Sequence, residues 1–125
     1  MDSTAWRLLD TGSRSAAENM ALDDVILTCK ARKLVPNTLR LLQFNPPAVL
    51  VGYHQNLEHE VRMDFVRNNG IDVNRRLTGG GAIYFDSNSL GWEIIGESTA
   101  LPHGRKEELF ESMCKGAIEA LDAWD

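Results

Sequence analysis

Three successive glycines, Gly79-Gly80-Gly81, limit what this chain can build more than any other feature. They strip every Cβ from a short loop, so its backbone can approach a ligand and turn N–H groups inward, where they favour anions. Arg75 and Arg76 lie just before the loop, and guanidinium groups grip phosphate or carboxylate in a bidentate way. The stretch continues Ala82-Ile83-Tyr84-Phe85-Asp86, which is strand-like. A P-loop and a dinucleotide-binding fingerprint both need a helix after their glycines, so neither fits. The residues alone leave two readings open. One is a loop for an anionic ligand such as a nucleotide phosphate. The other is a glycine-rich hairpin with both arginines on a solvated strand face.

The flanking pattern places this loop in an α+β, or mixed α/β, fold: a mostly antiparallel or mixed sheet flanked by helices. Trp6 to Asp10 reads as a strand, with Thr11-Gly12-Ser13 as a turn. Ser15 to Glu18 reads as a capping box opening a helix to about Lys33. Leu22, Val25, Ile26 and Cys29 recur on one face of it. Thr38 to Phe44 and Ala48 to Tyr53 read as strands separated by Asn45-Pro46-Pro47. Glu60 to Asn69 reads as a helix with Gly70 as its left-handed stop. Ile71 to Arg75 alternates like a strand, and Ala82–Phe85 with Leu90–Ile95 reads as an antiparallel pair joined by residues 86–89. A last helix starts near Arg105 and keeps Phe110, Met113, Ala117, Ala120, Leu121 and Trp124 on one face.

With 125 residues, 43% hydrophobic and 25% charged, the chain suits a single domain, residues 1–125, with a buried core. Its net charge of -5 argues against nucleic acid as a partner. Cys29 and Cys114 form no metal or disulfide pattern, and both read as packing residues in a reducing, cytoplasmic setting. The first seven residues lack the plan of a signal peptide, and no apolar run approaches the roughly 18 residues of a membrane span. His54, Glu58, His59 and Glu60 read as a solvated loop rather than a metal site, because a His-to-His interval of five does not share a helix face. His103 sits in a loop without an evident partner, and Trp124 hints at a partner surface.

The motif Arg75-Arg76-x-Thr78-Gly79-Gly80-Gly81-Ala82-Ile83-Tyr84-x-Asp86 resembles the signature of the lipoate-protein ligase and octanoyltransferase superfamily, related in fold to biotin protein ligases. Trp6 to Asp10 and Ser15 to Asp23 resemble its opening strand and first helix, and Val51 to Asn56 resembles its "GY-x-Q" segment. The resemblance implies the N-terminal part of such a catalytic domain. It implies a ligase that activates lipoate with ATP, and Mg2+ alongside, to lipoyl-adenylate, then passes the lipoyl group to a lysine of a carrier protein. Alternatives are a cysteine-dependent octanoyl or lipoyl transferase, or a non-catalytic lipoate-binding subunit. By position, Arg75 and Arg76 would meet the acyl-adenylate phosphate or carboxyl. Gly79, Gly80, Gly81 and Ala82 would line the ligand, Ile83 and Tyr84 would follow at the adenylate site, and Gly52, Tyr53 and His54 would border the acyl pocket. The family's catalytic lysine and cysteine lie later than residue 125, so no catalytic residue is expected here, and a separate C-terminal half could supply one. Two places depart from the family: Phe85 stands where it usually has His, and Leu90-Gly91-Trp92-Glu93 stands where it usually has Asn and Ser or Thr after the Leu. A Glu beside an anionic ligand would need to pair with Arg75 or Arg76, or face away.

Overall fold

The computed structural model of the protein describes residues 5–100 and 104–124, so His103 lies outside the described part. Among the described residues, six strands build two three-stranded mixed sheets. Sheet A has the order β1 (Trp6–Arg14), β2 (Asn37–Phe44), β6 (Gly91–Ile95); β1 runs parallel to β2, and β6 antiparallel. Sheet B has the order β4 (Asp72–Arg75), β3 (Ala48–Val51), β5 (Ile83–Phe85), again with one parallel and one antiparallel pair. Helix α1 (Ala16–Ala31) joins β1 to β2, α2 (Leu57–Glu60) and α3 (Met63–Asn68) join β3 to β4, and α4 (Lys106–Asp122) follows a short 3-10 turn.

Local signals explain the ends of α1. The Ser15 hydroxyl accepts from the Glu18 N–H at 3.2 Å, and the Glu18 carboxylate accepts from the Ser15 N–H at 3.0 Å, closing the capping box. Asp72 of β4 adds a carboxylate that accepts from the Ala16 N–H at 3.0 Å, tying the helix to sheet B. The helix stops at Ala31, two residues before the expected Lys33, which takes a left-handed φ of 58°.

Four expectations are corrected. The segment Thr11-Gly12-Ser13 is no turn: β1 continues through it, and its register against β2 slips between Asp10 and Ser13 around Gly12 at φ 63°. The helix expected over Glu60–Asn69 is two short ones. It breaks at Val61, which is extended and buried against Val51 and Val66. Gly70 does close α3, at φ 63°. Third, the segments 82–85 and 90–95 do not pair. β5 pairs with β3, placing Phe85 opposite Ala48, and β6 pairs with β2, placing Glu93 opposite Arg40. Phe85 is held in sheet B by its ring against Phe44, 4.7 Å between centroids, while Glu93 is drawn to Arg40 in sheet A. Between them Asp86 folds the crossing turn, accepting from the Asn88 N–H at 2.8 Å and the Ser89 hydroxyl at 3.0 Å. These bonds, the Asn88 one foremost, hold its carboxyl below the usual range. Fourth, Val25 and Cys114 are exposed rather than packed, whereas Cys29 is partly buried.

The core has two parts. Ala16, Leu42, Phe44, Ala48 and Leu50 pack between the sheets with Met20 and Phe85, and Val51, Val61 and Val66 fill the far side of sheet B under α2 and α3. Beside the first part lies Arg40, fully buried on β2. Its Nε donates to the Thr11 hydroxyl at 2.9 Å, its Nη2 to the Asn19 side-chain carbonyl, and its Nη1 to Asp23 and, at 3.1 Å, to Glu93. Asn19 in turn donates to the Gln43 carbonyl at 2.9 Å. A second buried cation, Lys30, meets Glu97 at 3.2 Å. The inward face of α1 is therefore partly polar, and these groups fasten it to sheet A. Among the described residues no helix is long and apolar enough to cross a membrane.

Removing Arg40 would leave two carboxylates without their cation. Arg40→Met is expected to lower unfolding free energy by about 3–5 kcal/mol, read from urea denaturation. A pH effect follows from Asp23. Burial, then the neighbouring Glu93 carboxylate, push its carboxyl from 3.8 up to about 7. Between pH 3.8 and about 7 the folded state therefore holds a proton that the unfolded state has lost. The contribution of this group is fully favourable below that window and is lost as pH rises through it. Relative to Asp23→Asn, the native chain should thus lose stability between pH 4.5 and 7.5; a constant difference in urea midpoint would refute this.

Candidate functional site

Sheet alternation and the crossing turn leave a groove of about 350 Å³ between the two sheets and α1. Met20, Asp23 and Leu27 line it from α1, Leu50, Ile83 and Phe85 from sheet B, and Glu93, Ile94 and Ile95 from β6. Arg76, Leu77 and Thr78 line it too, so the start of the glycine loop meets an otherwise largely apolar space. Pockets of this size and character suit a small ligand with an alkyl portion.

The arginine pair is not held outward. The Arg75 Nη1 donates to the carbonyls of Gly52, Tyr53 and Gln55 at 2.8, 3.0 and 2.7 Å. The Arg76 Nη1 donates to the Leu50 carbonyl at 3.1 Å, and its Nη2 to those of Gly79 and Gly81 at 2.9 and 2.8 Å. Arg75 thus braces the turn after β3, and Arg76 pins the glycine loop to β3. The loop also touches that turn directly: the Tyr53 N–H donates to the Thr78 carbonyl at 2.9 Å. A Cβ on Gly52 would overlap the Gly80 carbonyl, and Gly80 itself sits at φ 106°, so both positions require glycine.

The remaining expected site residues separate. Ile83 faces the groove, but Tyr84, one residue on, points to the opposite face of sheet B beside Val49, Val61 and Phe65. Gly79, Gly80, Gly81 and Ala82 are exposed in the loop. Gly52 is buried behind it, while Tyr53 and His54 are exposed and stack edge to face, 4.9 Å between centroids, away from the groove lining. Among the described residues no group of three or more His, Cys, Asp or Glu could hold a metal ion.

Glu93 departs from its expected alternatives. It pairs with Arg40, not with Arg75 or Arg76, and it lines the groove instead of facing away. Asp23 was not singled out by the sequence pattern. Its signal was the four-residue spacing from Asn19, which puts two polar side chains on the helix face nearest Arg40. Neither cysteine lines the groove.

Comparison with known proteins agrees with this architecture. A solved bi-partite lipoate protein ligase from Thermoplasma acidophilum, studied with its E2 lipoyl domain, superposes with a TM-score of 0.76 at 26% identity, over 96% of this chain and 46% of that one. A lipoate-protein ligase A bound with ATP gives 0.70 at 30% identity, over 86% of this chain and 42% of that one. The octanoyltransferase LipM of Symbiobacterium thermophilum is 46% identical over 118 residues, 94% of this chain. The chain spans only 42% of that relative's length. The family model for the lipoyl protein ligase A/B catalytic domain matches residues 15–125, and the chain belongs to that family.

Proposed function

We propose that residues 1–125 are the N-terminal portion of a catalytic domain that transfers octanoyl groups, and that the groove beside the glycine loop holds the acyl chain. The observation that carries this is the 46% identity, across nearly all of the chain, to a protein named as an octanoyltransferase. The groove supports it: its apolar walls suit an alkyl chain, and Arg76 and Thr78 mark the end where a polar acyl head would sit. Transfer would pass the acyl group from a thioester to a lysine amine of a lipoyl carrier protein. The amine nitrogen attacks the acyl carbon, the C–S bond breaks, and the thiol leaves with the proton. The nucleophile for an acyl-enzyme step would come from the remainder of the domain, on the same or a separate polypeptide.

ATP-dependent activation of lipoate, with Mg2+, is the second reading, favoured by the likeness to a lipoate-protein ligase bound with ATP. In this chain the Arg75 Nη1 and both terminal nitrogens of Arg76 donate to six backbone carbonyls, a bracing role that octanoyl transfer accommodates without any phosphate contact. On this reading Arg76, together with Gly79–Gly81, positions the loop instead of gripping an adenylate.

Two measurements test the proposal. The chain, mixed with the remaining half of a relative's domain, should move octanoyl from an octanoyl-carrier thioester to a lipoyl-domain lysine without ATP, scored by intact mass. A strict requirement for ATP would overturn octanoyl transfer in favour of the ligase. In calorimetric titration with octanoate, Arg76→Ala and Gly52→Ala should each weaken binding about tenfold or more while circular dichroism stays native, since each releases the loop. Unchanged affinity in both would remove the loop from the site.

A further inference from the structure

Resting on the reading of the groove as an acyl site, we propose that the Asp23–Glu93 pair makes it select acyl chains bearing a hydroxyl group over plain saturated ones. The argument begins with charge. Arg40 carries one positive charge, and both Asp23 and Glu93 reach its Nη1. One carboxylate neutralises a guanidinium, so the second is surplus to Arg40 and is left to a proton or to a ligand.

The surplus group is not turned to bulk water. Asp23 projects from α1 and Glu93 from β6, both line the groove, and their side chains are only 15% and 24% exposed. The walls around them are Met20, Leu27, Leu50, Ile83 and Phe85. An alkyl chain laid along these walls would strip water from the pair and return no hydrogen bond, which is unfavourable for a polar group. A hydroxyl on that chain restores the bond, donating to a carboxylate oxygen or accepting from the proton that the pair shares. The proton that burial and the neighbouring Glu93 hold on Asp23 toward neutral pH leaves the pair as one acid and one carboxylate along the groove.

The test is calorimetric titration of the 125-residue chain with octanoate and with octanoates hydroxylated at one of the last three carbons. At least one hydroxyoctanoate should bind about tenfold more tightly than octanoate, the scale of one buried hydrogen bond. Glu93→Ala keeps Asp23 to neutralise Arg40 and should reverse the order in favour of octanoate. Equal or tighter binding of octanoate by the native chain overturns the proposal while leaving the acyl site standing. A hydroxyl preference that survives in Glu93→Ala overturns it as well. If that variant does not fold, the native comparison decides alone. Failure of every fatty acid to bind a natively folded chain overturns the acyl site and this inference with it.

Discussion

Arg40 fastens helix α1 and strands β1 and β6 around β2. A guanidinium with no exposure to solvent can exist only where its donors and charge are met on all sides. They are met from β1 through Thr11, from α1 through Asn19 and Asp23, and from β6 through Glu93. No apolar side chain at this position could address three elements with such direction. Where the chain crosses from sheet B back to sheet A, β6 lies beside β2 and Glu93 stands opposite its partner.

The glycine loop depends on a comparable use of arginine. The sequence places two guanidinium groups before three glycines, and that composition alone leaves anion capture and a solvated hairpin both open. Folded, Arg75 and Arg76 are turned onto carbonyl oxygens of the chain itself. A triple-glycine segment has the largest conformational entropy to lose, and fixing it needs strong, directional donors. Charge near the groove mouth is retained, while Arg76 keeps the loop against β3 and Arg75 braces the turn after it.

What could be read from the sequence was local. The Ser15–Glu18 capping box and the left-handed stop at Gly70 depend on neighbours within a few residues, and both stand where the pattern put them. The mixed α+β class and the family also follow from ordered local motifs. The pairing of residues 82–85 with 90–95 failed because a short polar turn between two strand-like segments looks the same whether or not those strands are partners. The deciding contacts, Phe85 to Phe44 and Glu93 to Arg40, lie far away in sequence. Asn19 and Asp23 escaped notice because periodicity follows apolar residues, whereas the face of α1 that matters here carries polar ones. Val61 was hidden for the opposite reason, as an apolar residue in a helical pattern that the core takes in extended form.

The short strand β5 sets the character of two spaces at once, since Ile83 and Phe85 face the groove and Tyr84 the far side of sheet B. Surface loops usually absorb insertions and deletions, but the loop over residues 79–81 feeds this strand directly. If the gain or loss of one glycine were passed on to β5 rather than absorbed in the loop, the strand would slide by one place against β3 and turn each side chain to the other face. A phenol would then stand in the groove, and two apolar side chains would leave it. The length of the loop thus bears on the groove wall as its composition does, through the register of a strand three residues long.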